Sequence, residues 1–233
     1  MKAIALRATF GALALALLGG TALALSPLPA ENPAQIIRVD AESGLYDPAP
    51  PPGSAFVRVI NATATPALDT TLDGAGWTKT EAAGPSAYRP VPAGQHEAAV
   101  GGKSTSFAVE AGQFYSVVAD GDAAAPALSV LPDPKLDSMA KALISLYNLT
   151  DKPSLSLKTA DGKVAVIDAV GADAAGNRQV NPLKVQFAVF EGDQPIAQID
   201  EVSIERGAAY SVIVTDIGGK LHAQWVRSAT RSK

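Results

Sequence analysis

The sequence contains no cysteine and only two histidines among its 233 residues. The lack of cysteine excludes disulfides and a lipid anchor attached through cysteine, so the folded parts must be stable through their cores alone. Two histidines without any cysteine also argue against a zinc site. We therefore predict that the protein binds neither a metal nor a cofactor.

The shortage of histidine also bears on catalysis. A serine acyltransferase or esterase needs a nucleophile, a histidine that takes its proton and an acid that orients the histidine. His96 follows a hairpin tip at 92–95 and His222 follows Gly218 and Gly219, and the sequence predicts that both face solvent on strands. No Gly-x-Ser-x-Gly elbow is present. We therefore predict no catalytic residues, and a cryptic esterase is the least favoured function.

Charge and hydrophobic runs limit the partners. The 19 Lys and Arg residues against 23 Asp and Glu give a formal net charge of −4, which offers no electrostatic attraction for nucleic acid.

Lys2 and Arg7 precede an apolar run at 8–18, and small residues follow at 21–24, as in a secretory signal peptide over residues 1–24. The run is shorter than the ~20 residues of a membrane span. The chain is therefore predicted not to span a membrane after the signal is removed.

The rest of the chain repeats itself. The stretch VEAGQFYSVV at 109–118 recurs as IERGAAYSVI at 204–213, an offset of 95 residues. Upstream, VRVINAT at 57–63 recurs as ISLYNLT at 144–150, an offset of 87 residues. Because the two matches keep their order and have similar offsets, two tandem domains of one type explain them better than chance does.

Short apolar runs alternate with turns such as Asp73-Gly74, Gly101-Gly102 and Asp161-Gly162, which is typical of successive β-hairpins. The sequence predicts an all-β fold of two tandem antiparallel β-sandwich domains joined by a short, proline-containing linker. The predicted parts are a flexible leader at 25–53, an N-terminal sandwich at 54–131, the linker at 132–138 and a C-terminal sandwich at 139–228.

Several segments of the chain resemble the AlgF family of alginate biosynthesis proteins. The segments that carry the resemblance are LYDP at 45–48, GSAFVRV at 53–59, LKTADGK at 157–163, NPLKV at 181–185, FAVFEG at 187–192 and IERG at 204–207. They follow the family's order and cover nearly all of the chain between about Leu45 and Val226. The resemblance implies a periplasmic protein needed for O-acetylation of the exopolysaccharide alginate.

The resemblance also implies a role and partners. It suggests a non-catalytic adaptor that contacts periplasmic alginate O-acetyltransferases and membrane acyl-transfer components, with a weak contact to alginate itself left open. The alternative is a carbohydrate-binding module in which Trp77, Tyr88 or Trp225 stacks on sugar rings. Uronate polymers carry one negative charge per sugar, so a binder should have a basic groove, whereas this chain is acidic with dispersed cations. The adaptor is therefore favoured.

Four residues are candidates for the adaptor's partner interface: Tyr46, Arg58, Tyr88 and Arg178. They lie in the motif stretches but belong neither to the turn glycines nor to the alternating apolar set, and Arg and Tyr are common interface anchors. The structural alternative is that Tyr46 and Tyr88 cap the first sandwich and that Arg58 pairs with an acid across its sheet.

Overall fold

A computed structural model describes residues 34–35, 37–40, 50–80 and 83–228 of the chain. Within these residues the regular secondary structure consists of β-strands alone, all of them in one compact unit. No helix in this part of the chain is long and apolar enough to cross a membrane. The prediction of an all-β fold with two tandem sandwiches is confirmed.

Residues 54–133 form the first sandwich. Its strands are β3 (Ser54–Thr63), β4 (Asp69–Leu72), β5 (Ala75–Lys79), β6 (Gly84–Pro85), β7 (Arg89–Pro92), β8 (Gly94–Val100), β9 (Lys103–Val109), β10 (Phe114–Gly121) and β11 (Ala127–Asp133). One sheet has the order β11-β10-β3, with β6 and β7 both paired along β3, and the other has the order β5-β4-β8-β9. Strand β11 reaches Asp133, so residues 132 and 133 of the predicted linker belong to the first sandwich.

Residues 142–227 form the second sandwich. Its strands are β12 (Ala142–Leu149), β13 (Leu155–Thr159), β14 (Ala165–Val170), β15 (Ala174–Val180), β16 (Leu183–Glu191), β17 (Gln194–Ile204), β18 (Ala209–Ile217) and β19 (Lys220–Arg227). One sheet has the order β15-β12-β18-β19, and the other has the order β17-β16-β13-β14.

Two short strands precede the first sandwich and pair with the second. Strand β1 (Ala34–Gln35) runs parallel to β17, and β2 (Ile37–Asp40) runs parallel to β19. Each therefore extends the edge of a different sheet of the second sandwich. This pairing lies within the predicted leader, where the sequence has no sustained period of two to indicate it.

The structure repeats as the sequence does. Strands β3 and β10 are paired in parallel, with Phe56 opposite Phe114, and β12 and β18 are paired in parallel, with Leu143 opposite Ala209. These two registers coincide when the repeats are aligned at their offsets of 87 and 95 residues. The parallel pair at the centre of one sheet in each sandwich is a detail that the antiparallel prediction did not include.

The turn that leads into the second parallel strand is also repeated. Gly112 and Gly207 both have a φ of +73°, a conformation that residues with a Cβ rarely adopt. The amide of Gly112 donates to the carbonyl of Ser54 at 2.8 Å, and the amide of Gly207 donates to the equivalent carbonyl of Lys141 at 2.7 Å. The glycine in the repeated motif is therefore a backbone requirement of this turn.

Side chains alternate between two buried faces along the parallel strands. On β3, Val57 and Val59 lie in the core of the first sandwich, whereas Ile60 and Ala62 belong to a separate cluster between the sandwiches. Both faces of β3 are buried, which explains its nearly continuous apolar sequence.

The cluster between the sandwiches is built from equivalent positions of the two repeats. Its buried members are Ile60 and Tyr147, Ala62 and Leu149, and Val118 and Ile213. Each of these pairs is separated by one of the two repeat offsets. The repeats therefore contact each other through the same surface, as the subunits of an isologous dimer do. Burial of a side chain as large as isoleucine contributes roughly 1.5–3 kcal/mol to such a contact.

Candidate functional site

Arg58 lies at the centre of the contact between the two sandwiches. It is on the same face of β3 as Ile60 and is only 1% exposed. Its Nε donates to Ser116 Oγ at 2.8 Å, and its two terminal nitrogens donate to Ser211 Oγ at 3.3 Å and Ser228 Oγ at 3.5 Å. Ser211 is the repeat equivalent of Ser116, so one arginine binds the same motif serine from both repeats.

Asp133, the last residue of β11, supplies the negative charge. Its Oδ2 accepts hydrogen bonds from Tyr88 at 2.7 Å and Ser116 at 2.6 Å, and its Oδ1 accepts one from Tyr147 at 2.6 Å. The same Oδ2 lies 3.8 Å from Arg58 Nε. A buried charge pair is stable only when it is also hydrogen bonded in this way.

Two aromatic rings complete the cluster. The guanidinium carbon of Arg58 lies 4.6 Å from the ring centroid of Tyr88 and 5.2 Å from that of Tyr147, both within the range of a cation–π interaction. We call these residues the Arg58 cluster: Arg58, Tyr88, Ser116, Asp133, Tyr147, Ser211 and Ser228. The cluster joins β3, β10 and β11 of the first sandwich to β12 and β18 of the second.

Burial controls the protonation of the two tyrosines. Loss of solvent raises the pKa of Tyr88 and that of Tyr147 well above the ordinary value, although the positive charge of Arg58 opposes the increase. Burial by itself would lower the pKa of Arg58, but Tyr88, Tyr147 and Asp133 together raise it above its ordinary value. The phenols are therefore neutral donors and the arginine is charged at neutral pH.

The raised tyrosine pKa values predict a loss of stability at high pH. Above about pH 10 the unfolded chain releases protons that folded Tyr88 and Tyr147 retain, so the free energy of unfolding should fall by up to about 1.4 kcal/mol per pH unit for each tyrosine. Urea unfolding between pH 8 and pH 11 measures this slope. A variant with both tyrosines changed to phenylalanine should have a flatter slope, and a slope equal to that of the wild type would contradict the assignment.

The structure brings together two of the four predicted interface residues. Arg58 and Tyr88 meet in the Arg58 cluster and are 1% and 6% exposed, so the expectation that their side chains lie on the surface is wrong. Their positions agree with the structural alternative, since Arg58 faces an acid and Tyr88 donates to the same acid. Arg178 lies apart on β15, where it is exposed and donates to the carbonyls of Ala165 and Val166, both at 3.3 Å. Tyr46 lies outside the described residues.

The other members of the Arg58 cluster are not among the residues that the sequence predicts for a site. A usable signal existed for Ser116 and Ser211, which occupy the same place in the repeated Tyr-Ser-Val run. Asp133 carries no such signal, because its repeat equivalent is Ser228. Pro132 and Pro134 also predict a linker at the place where β11 ends.

The sequence predicts that His96 faces solvent. This prediction is wrong, because His96 is buried and only 8% exposed. Its Nδ1 lies 2.7 Å from Asp73 Oδ2 and its Nε2 lies 2.7 Å from the carbonyl oxygen of Pro92. The pKa of Asp73 is lowered by the amide of Glu97 and by His96. Both ring nitrogens are engaged by acceptors other than a serine, so this pair holds a turn and does not form part of a triad.

A cleft of about 390 Å³ opens beside the Arg58 cluster. Tyr88 and Phe114 of the first sandwich line one side, and Tyr210 and Arg227 of the second sandwich line another. Linker residues 134–136 and Met139 form part of the rim. In the part of the chain that the structure describes, no group of three His, Cys, Asp or Glu side chains could hold a metal ion.

A family model described as "Alginate O-acetyl transferase AlgF" matches residues 32–211, which is well over half of the chain. The chain belongs to the AlgF family. It is similar to the alginate biosynthesis protein AlgF of Pseudomonas putida, with 36% identity over 189 residues that cover 80% of this chain and 84% of that protein. The AlgF proteins of Pseudomonas aeruginosa and Azotobacter vinelandii are 34% and 32% identical to it, each match covering 82% of this chain and 86% of the relative.

Two solved structures of AlgF domains from P. aeruginosa also match. The C-terminal domain is 41% identical, with a TM-score of 0.35, and the match covers 38% of this chain and 98% of that domain. The N-terminal domain is 25% identical, with a TM-score of 0.32, and the match covers 37% of this chain and 100% of that domain.

Proposed function

We propose that this AlgF-family protein is a non-catalytic periplasmic adaptor required for O-acetylation of alginate. It holds the periplasmic O-acetyltransferases and the membrane components that deliver acyl groups in one assembly. The observation that carries the proposal is that the polar side chains of the Arg58 cluster form hydrogen bonds with one another. Its charged and hydroxyl groups, which would be the natural candidates for acyl chemistry, bind one another across the two sandwiches.

Each potential catalytic group of the cluster is already engaged. Ser116 is fully buried and donates to Asp133 at 2.6 Å, so a substrate cannot reach its hydroxyl. Asp133 accepts from three hydroxyl groups and faces one guanidinium. An acyl transfer from or to serine needs an accessible nucleophile and a base free to take its proton. The cluster offers neither, which supports a structural role.

The burial of aromatic side chains weighs against the carbohydrate-binding alternative. Sugar-binding modules present aromatic faces to solvent, but Trp77, Tyr88 and Trp225 are 8%, 6% and 4% exposed. Tyr210, which lines the cleft, is stacked on Trp225 at 5.1 Å between ring centroids. The largest exposed apolar side chains of the described residues are instead aliphatic: Met139 at 73%, Val164 at 57% and Leu183 at 43%. Such side chains suit protein contacts better than sugar stacking.

Ester acetate on secreted alginate tests the proposal in vivo. A strain that lacks this protein should secrete a similar amount of alginate but with its ester acetate lost, because an adaptor for acetylation takes no part in chain synthesis. Re-expression of the wild-type protein is the control and should restore the acetate. Normal acetylation in the deletion strain would refute the proposal.

Assays of the purified protein separate the adaptor from an enzyme. The wild-type protein should neither hydrolyse model acetyl esters nor transfer acetyl groups to mannuronate oligomers. Turnover that disappears when Ser116 or His96 is changed to alanine would establish an esterase or a transferase instead.

A further inference from the structure

Side chains from the linker and from Met139, just after it, lie beside two equivalent turns. The Nζ of Lys135 lies 3.9 Å from the place where a Cβ on Gly112 would stand, and the methyl group of Met139 lies 2.7 Å from that place on Gly207. The absence of a Cβ at Gly207 therefore lets Met139 lie directly on the turn. The segment 135–139 therefore lies against the equivalent turns of both repeats, and Lys135, Leu136 and Met139 line the cleft.

Both charged side chains that line the cleft are positive, in a chain that is acidic overall. Lys135 and Arg227 are among its lining residues, and none of the described lining residues is Asp or Glu. Arg227 forms an ion pair with Glu205 at 2.9 Å, whereas Lys135 is exposed and forms no ion pair with the described residues. Arg58 lies beneath the cleft, but its charge is paired with Asp133 at 3.8 Å. Among the charged side chains that line the cleft, Lys135 is therefore the one without a counter-charge in the described residues, and it favours an anionic group beside it.

The same cleft has an apolar rim. Met139 is 73% exposed, the highest value among the large apolar side chains of the described residues, and Leu136 and Phe114 beside it are half-buried. Methionine adapts its shape to different partners and is common on surfaces that bind protein segments. A ligand that suits both features carries an apolar side chain next to a negative charge.

We propose that this cleft binds a segment of a partner protein in which an apolar side chain adjoins an aspartate or glutamate. The apolar side chain contacts Met139 and Leu136, and the carboxylate pairs with Lys135. The inference rests on the proposed adaptor function, since it assigns one of the partner contacts to a specific surface. A protein segment fits better than a uronate chain, because three aromatic rings of the lining already have a face covered: Tyr88 by Arg58, Tyr210 by Trp225 and Phe114 by Phe56.

Two matched double variants test the cleft. The test variant is Lys135→Glu with Met139→Glu, and the control variant is Lys163→Glu with Val164→Glu. The control also replaces one lysine and one exposed apolar side chain by glutamate, on the β13–β14 hairpin, where Lys163 and Val164 are exposed but do not line the cleft. Since all four side chains are on the surface, both variants should melt within about 2 °C of the wild type.

Binding to the purified periplasmic acetyltransferases is measured by biolayer interferometry. We expect the dissociation constant of the test variant to rise at least about tenfold, with that of the control variant unchanged. A photo-crosslinking amino acid at position 139 should also attach to an acetyltransferase peptide that contains an acid beside an apolar residue. If the wild-type protein binds an acetyltransferase and the test variant binds it equally well, the cleft proposal fails alone. If the wild-type protein binds none, the adaptor function fails as well.

The remaining outcomes identify other occupants. The wild-type protein and the test variant are each titrated with a mannuronate hexasaccharide in a calorimeter. The two titrations should give the same heat. Sedimentation should give the same monomeric mass for both proteins. A hexasaccharide interaction lost in the test variant would assign the cleft to the polysaccharide, and a dimer lost in it would assign the cleft to a second copy of this chain. Either result would overturn the proposal.

Discussion

Replacing Arg58 with methionine should lower the free energy of unfolding by about 3–5 kcal/mol. Methionine fills much of the same space, but Asp133 loses its counter-charge in a site where both side chains are 1% exposed. Ser211 and Ser228 also lose the donor that ties the second sandwich to β3. For a body of nearly 200 residues this loss corresponds to a fall in Tm of about 10 °C, which thermal unfolding monitored by circular dichroism measures directly.

Arg178→Met is the matched control for this change. Arg178 is exposed, and its guanidinium donates only to two carbonyls at 3.3 Å. Its loss should change the free energy of unfolding by no more than about 0.5 kcal/mol. If Arg58→Met and Arg178→Met have the same melting temperature, Arg58 does not hold the sandwiches together. That result would favour the hypothesis that Arg58 contacts a partner.

Replacing Asp133 with asparagine should have a similarly large effect, about 3–5 kcal/mol. The amide has nearly the same shape but only one oxygen, whereas the carboxylate accepts from Tyr88 and Ser116 on one oxygen and from Tyr147 on the other. The variant also leaves the charge of Arg58 buried without a counter-ion. Urea unfolding at pH 7 measures the change, and Asp137→Asn, in the exposed part of the linker, provides a control that should be nearly neutral.

A double-mutant cycle checks that the two residues act together. Arg58→Met and Asp133→Asn remove the same charge interaction, so the double variant should lose less stability than the sum of the single variants, by about 1–3 kcal/mol. Strict additivity would mean that Arg58 and Asp133 stabilise the fold independently and that the 3.8 Å contact between them contributes nothing.

The architecture could be predicted from the sequence because its strongest signals are local or repeated. The glycine turns fix the hairpins, and the matched motifs at 109–118 and 204–213 indicate two copies of one unit. The parallel pairing of β3 with β10 could not be predicted, since short apolar strands separated by 50 residues carry no mark of their partner. The same reason hides the pairing of β1 and β2 with the second sandwich.

The candidate site was less predictable than the fold. The sequence identifies Arg58 and Tyr88 as unusual polar residues in the motif stretches. The alternation of side chains along a strand does not show whether the outer face of the sheet contacts solvent or another sheet. Here the outer face of β3 is covered by the second sandwich, so a residue expected on the surface is buried. Asp133 ends β11, and the cleft is lined by residues of both sandwiches and of the linker, an arrangement that no local pattern encodes.

An apolar replacement of the cluster tests most directly whether the protein contributes structure or chemistry to acetylation. The variant combines Arg58→Met, Asp133→Leu, Tyr88→Phe and Tyr147→Phe, because a buried ion pair can often be replaced by apolar side chains of similar volume without loss of the fold. Expressed in a deletion strain, and checked for normal abundance and for a Tm above the growth temperature, it should restore the ester acetate of secreted alginate to near the wild-type level. Alginate without acetate from a strain that contains the folded variant would contradict the adaptor and place the buried charges in the reaction itself.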